Sequence, residues 1–114
     1  MAIDYVDVSE NFRRIVLSGR LDTLGSEAIA TKFTVLAASA KHRIVVDLTA
    51  VTFLASMGIR ELISNAKAQQ NRGGRLVLFV GENEAVAKTL ESMGIDALIP
   101  IFKDAADAEK AALA

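Results

Sequence analysis

A chain of 114 residues, 52% of them apolar, is long enough to bury one core and too short for a second domain. Its 13 basic and 14 acidic residues nearly cancel, which excludes, at the level of composition, the cationic footprint of a nucleic-acid binder. The lack of any cysteine excludes disulfides, thiol catalysis and thiolate metal sites, and suits a reducing cytoplasm. Residues 1–10 carry two aspartates and no unbroken apolar stretch, so they do not read as a signal peptide. No apolar run approaches bilayer length. One soluble, cytoplasmic domain over residues 1–114 is expected, without direct membrane insertion.

Tyr5 to Val8 and Arg14 to Leu17 are rich in β-branched and aromatic residues, and Ser9-Glu10-Asn11 between them suits a hairpin turn, so two antiparallel strands are predicted. Gly19 permits a bulge or a sharp change of direction, and Asp22 or Thr23 can cap a helix from about Ser26 to Ala40. Ile29, Phe33, Leu36, Ala37 and Ala40 share one face of that helix, with Lys32 and Ser39 elsewhere on the wheel. Ile44-Val45-Val46 lacks polar alternation, the mark of a strand buried on both faces, and it is expected to end at Asp47.

Ile59, Leu62, Ile63 and Ala66 recur at helical spacing and predict a second helix from about Ser56 to Gln70, stopped by Gly73-Gly74. Leu76 to Val80 reads as another buried strand. A helix with Val86, Ala87, Leu90 and Met93 follows, closed by Gly94. Ile99 to Phe102 is a short last strand, and the alanine-rich tail from Asp104 has high helix propensity. The order β-β-α-β-α-β-α-β-α gives an α/β class: a mixed, mostly parallel sheet with an N-terminal antiparallel pair and about four helices.

In open α/β sheets function gathers beyond the carboxyl ends of the strands, an edge shared here by the Leu21-to-Gly25 and Thr49-to-Gly58 loops. Ser56 falls at the start of the second helix, where it reads as the N-cap. It is either only that cap or a phosphorylation switch. A phosphate there would meet free N–H groups and the positive end of the helix dipole. It would bring about −1.5 to −2 charges to a stretch, residues 48–59, that has no acid or base. Gly58, costly in a first helical turn, serves either close approach by a partner or tight packing on the sheet.

Three blocks together, Leu17-Ser18-Gly19-Arg20-Leu21-Asp22, Ile44-Val45-Val46-Asp47-Leu48-Thr49, and Val51-Thr52-Phe53-Leu54-Ala55-Ser56-Met57-Gly58-Ile59-Arg60-Glu61-Leu62, resemble the STAS domain of bacterial anti-sigma factor antagonists. The resemblance spans nearly the whole chain. It implies transcription regulation by partner switching, in which the antagonist captures an anti-sigma factor that is also a serine kinase and so releases the sigma factor. The family's phosphorylated serine falls on Ser56, and its kinase-contacting aspartate falls on Asp22. Ala55 stands where the family has aspartate, and Met57 stands where it has serine or a small residue.

The expected contact patch is Asp22, Thr23, Leu54, Ala55, Met57, Gly58 and Arg60 around the switch Ser56. The implied partners are the anti-sigma factor serine kinase and a serine phosphatase acting on phosphorylated Ser56. The alternative is a constitutive, unphosphorylated STAS subunit of a larger signalling or membrane-transport assembly. An enzyme would need a nucleophile with its base, and the sequence offers neither; no cofactor is implied. His42, the lone histidine, reads as a surface residue, with almost no support for a metal site. Asp47 is assigned a structural role in the turn that follows it. Gly73-Gly74-Arg75 precedes a strand, the wrong order for cradling phosphate, and reads as a turn.

Overall fold

In the computed structural model, which describes residues 2–38 and 41–114, the Ser9-Glu10-Asn11 link reverses the chain as its composition predicts. Strands β1 (Ile3–Asp7) and β2 (Phe12–Leu21) are antiparallel, from Ile3 opposite Leu17 to Asp7 opposite Arg13. Strand β2 is longer than its β-branched run. Its early part is held by Arg13, whose buried guanidinium bonds Asp7 at 2.6 Å and the Leu36 carbonyl at 2.9 Å, and lies 4.6 Å from the Tyr5 ring.

Helix α1 (Thr23–Ala37) begins three residues earlier than its apolar pattern suggests, because Asp22 caps it. Ile29, Phe33, Leu36 and Ala37 are buried as expected. The predicted Ser39 and Ala40 positions lie outside the described residues. Strand β3 (Arg43–Leu54) does not end at Asp47 but runs seven residues further along β2. Register shifts against β2 fall between Val16 and Ser18 and between Gly19 and Arg20, each placing an extra residue in β3. Gly19, at φ 78°, supplies the backbone conformation at the second shift. The two bulges turn the buried positions of late β3 into Leu48, Val51 and Leu54, spaced by three instead of two.

Helix α2 (Ser56–Asn71), strand β4 (Arg75–Phe79), helix α3 (Glu84–Ser92), a single 3-10 turn (Ile95–Ala97), strand β5 (Ile101–Phe102) and helix α4 (Ala105–Leu113) complete the chain. The sheet order is β1-β2-β3-β4-β5. Strands β2 to β5 are all parallel, which extends the parallel set beyond the two apolar strands that mark it in the sequence.

Helices α1, α2 and α3 share one core with Ile15, Leu17, Ile44, Val46, Leu76 and Leu78. On the other face α4 lays Ala108 and Ala112 over Phe12, Val45 and Val77. Ile44-Val45-Val46 is thus buried from both sides, which is why it shows no alternation. Because the strands follow one another in chain order, the winding never reverses, and the crevice that a reversal opens in other α/β sheets does not form. The carboxyl-end edge is left as a surface of loops and helix starts.

Candidate functional site

Parallel pairing of β2 with β3 sets Arg20 beside Phe53 and Leu21 beside Leu54, and the Ala55 N–H donates to the Leu21 carbonyl at 2.9 Å. The chain therefore leaves both strands at one place. Asp22 Oδ1 accepts the Gly25 N–H at 2.8 Å, and its Oδ2 accepts from Arg20 Nε at 3.2 Å. The Gly25 N–H first, and then Arg20, hold the Asp22 carboxyl below its ordinary pKa against the opposing effect of desolvation. Arg20 also stacks on Phe53, 4.4 Å from the ring centre.

Ser56 is not the N-cap. That position belongs to Ala55, with φ −93° and ψ 173°, whose carbonyl takes the Ile59 N–H at 3.1 Å, and no side chain caps α2. The bond from Ala55 N–H to Leu21 fixes the helix start one residue earlier than the serine suggests. Ser56 is the first helical residue. Its side chain is exposed, and its hydroxyl makes no hydrogen bond among the described residues. The N–H groups of the first turn are left without a side-chain acceptor, so the end of α2 is an open, positively polarised surface.

Among the other expected contact residues, Thr23 and Arg60 are exposed, and Asp22, Ala55 and Met57 are half-buried. Leu54 and Gly58 are buried, so their side-chain positions lie beneath the surface. A Cβ at Gly58 would stand 2.8 Å from Leu54 Cδ1, 3.2 Å from Ser26 Oγ and 3.3 Å from Leu21 Cβ. Of the two readings of Gly58, the geometry carries tight packing of α2 on α1 and the sheet.

Sequence reasoning missed Leu24, 77% exposed in the first turn of α1, and Phe53, 41% exposed on late β3. Together with Arg20 they add an apolar and cationic fringe beside the loops. It also missed Asn83. The Asn83 amide donates to the carbonyls of Leu48 at 2.9 Å and Val51 at 2.8 Å, while its oxygen caps α3. The signal available was an asparagine just before a helical run, a cap by type, with nothing to show its reach across to β3.

His42 is half-buried, not a surface residue: its N–H donates to Asn11 Oδ1 at 3.1 Å, and its carbonyl accepts from Arg75 at 2.7 Å. Bonds to Asn11 on one side and to the start of β4 on the other draw it inward. Asp47 Oδ1 accepts from both the N–H and the hydroxyl of Thr49, the structural role expected of it. Gly73 and Gly74 end α2 through N–H bonds to the Gln70 and Gln69 carbonyls. Among the described residues, no cluster of three or more histidines and carboxylates is placed to hold a metal, and no helix is long and apolar enough to cross a membrane.

The family model of the STAS domain matches residues 5–108. The chain belongs to the STAS domain family. No curated protein matches it. An anti-sigma factor antagonist from Mycobacterium paratuberculosis has the same fold, with a TM-score of 0.84 and 21% identity over 98% of this STAS domain and 95% of that chain. The Bacillus cell fate determinant SpoIIAA in its phosphorylated form aligns at a TM-score of 0.70 and 18% identity, over 96% and 99%. The murine anion transporter Slc26a9 aligns at 0.70 and 20%, over 90% of this STAS domain and 18% of the transporter. These likenesses establish the fold.

Proposed function

We propose that this STAS domain is a regulatory binding protein that captures an anti-sigma factor serine kinase and releases it when Ser56 is phosphorylated. The observation that carries the proposal is the exposed, unbonded Ser56 hydroxyl on an uncapped helix start, in a stretch free of charged side chains. Unmodified, the surface offers Phe53, Met57 and Leu24 to a partner, with Asp22, Thr23, Ala55 and Arg60 around them and Leu54 and Gly58 shaping it from below. A phosphate on Ser56 Oγ would be received by the first-turn N–H groups with little strain. It would also oppose burial of that surface, because a dianion is costly to desolvate. The kinase supplies the ATP site and a phosphatase restores the hydroxyl, in the cytoplasm, to control transcription. The domain binds and is modified, and catalyses nothing itself.

A constitutive, unphosphorylated subunit of a larger assembly is the second reading. The substitutions Ala55 and Met57 around Ser56 favour it, as does the STAS-like part of Slc26a9. Mass spectrometry of the protein from its own cells, with and without the candidate kinase, separates the two. A kinase-dependent phosphate on Ser56 establishes the switch; an unmodified Ser56 across growth and stress conditions leaves the constitutive subunit. In parallel, Ser56→Asp should keep its thermal midpoint and lose at least about tenfold in affinity for the kinase. Global unfolding of that variant would sink the switch.

A further inference from the structure

Helix α4 shuts the second face of the sheet over β3, β4 and the start of β2, and the neighbouring part of β1 and β2 stays outside it. Register places Val6 opposite Arg14 and Arg14 beside Val45, so all three stand on the α4 face. The Val8 N–H donates to the Phe12 carbonyl at 2.9 Å, which sets Val8 level with Phe12. A groove of about 300 Å³ runs between these residues and Glu109 of α4. Phe12 and Val45 are buried beneath it, whereas Val6 is 48% and Val8 49% exposed. An apolar strip of this kind, beside a gap in the cover of a sheet face, marks a surface of association.

Among the described residues only two charged side chains line the groove, Arg14 and Glu109. Both are exposed, and neither makes an ion pair or a side-chain hydrogen bond with another described residue. Asp4, further along the same face, accepts the Tyr5 N–H at 2.8 Å. A partner carrying one sign of charge would satisfy one of the two and bury the other unpaired, at a cost in affinity. A surface with one anion and one cation at the same separation matches both, and a second copy turned about a two-fold axis presents that surface. We infer that two copies of this STAS domain pair through this groove, with Arg14 of each against Glu109 of the other and with Val6 and Val8 of each removed from water. A net charge of −1 on each chain hardly opposes the approach. Helix α2 packs on the other face of the sheet, so the Ser56 surface stays open in both copies. The pairing stands or falls without the switch, and it would hold two such surfaces in one particle.

Sedimentation equilibrium of the full chain should show a monomer–dimer equilibrium with a dissociation constant below about 1 mM. Arg14→Glu and Glu109→Arg should each keep the native circular dichroism spectrum and thermal midpoint, because neither side chain has a partner within the chain. Each should weaken self-association at least about tenfold. Their mixture is the deciding case. One variant lines the groove with two carboxylates and the other with two cations, so an equimolar mixture should form a heterodimer at concentrations where each alone is monomeric, as native mass spectrometry would register. A native chain that stays monomeric up to about 1 mM overturns the pairing and leaves the groove to a different protein. Self-association that neither reversal weakens overturns this face as the contact, and variants that stay apart when mixed overturn the crossed pair of charges.

Discussion

The side chain at position 55 shows what one residue contributes at the helix start. Alanine holds the N-cap conformation there but has no oxygen to offer the first-turn N–H groups. The backbone angles suit aspartate as they are, so Ala55→Asp should stabilise the fold by about 1 kcal/mol. Differential scanning calorimetry should show the midpoint rise by about 4 °C; no rise would mean that the N–H groups are already satisfied. The two helix starts were legible because Asp22 and Ser56 are of types that favour them. The pattern placed Ser56 one residue off, since the cap was decided by the Leu21 carbonyl, a partner 34 positions away that no local pattern contains. Leu24 and Phe53 were illegible for a related reason. An apolar residue is assigned to the core by type, and its exposure depends on how α1 and late β3 are rotated when they dock.

At the scale of elements, the long β3 depends on a residue outside it. Ile44-Val45-Val46 is a plain buried strand and reads as one, while the two bulges further on break the period of two on which strand recognition rests. Asn83 holds this irregular stretch by bonding the carbonyls on either side of Thr49 and Ala50. Asn83→Ala removes those bonds and the α3 cap together, and should cost about 2 kcal/mol. Amide exchange should then quicken across Thr49 to Phe53 more than in early β3. Uniform quickening along β3 would show that Asn83 serves α3 alone. The helices were more legible than the strands because their apolar faces hold a period of 3.6 without interruption, down to Ile59, Leu62, Ile63 and Ala66.

For the molecule as a whole, one ion pair closes the β1–β2 hairpin and another joins the end of β2 to the α1 start, and both set an acid limit. Arg13 holds the Asp7 carboxyl below its ordinary value of 3.8, as the Gly25 N–H and Arg20 do for Asp22. Each folded-state pKa lies below the unfolded one, so the stability they contribute is complete above that value and is lost as pH falls through it. Urea midpoints measured from about pH 5 downward should decline. The decline should flatten in the double variant Asp7→Asn, Asp22→Asn, where neither side chain titrates; an unchanged slope would assign the acid limit to other carboxylates. The sheet order has a different consequence, for the birth of the protein. Every strand pairs with the one made just before it, so the sheet can grow in step with synthesis, and each new strand finds its template already in place. Only the second face has to wait, because α4, which shuts it, is made after all five strands.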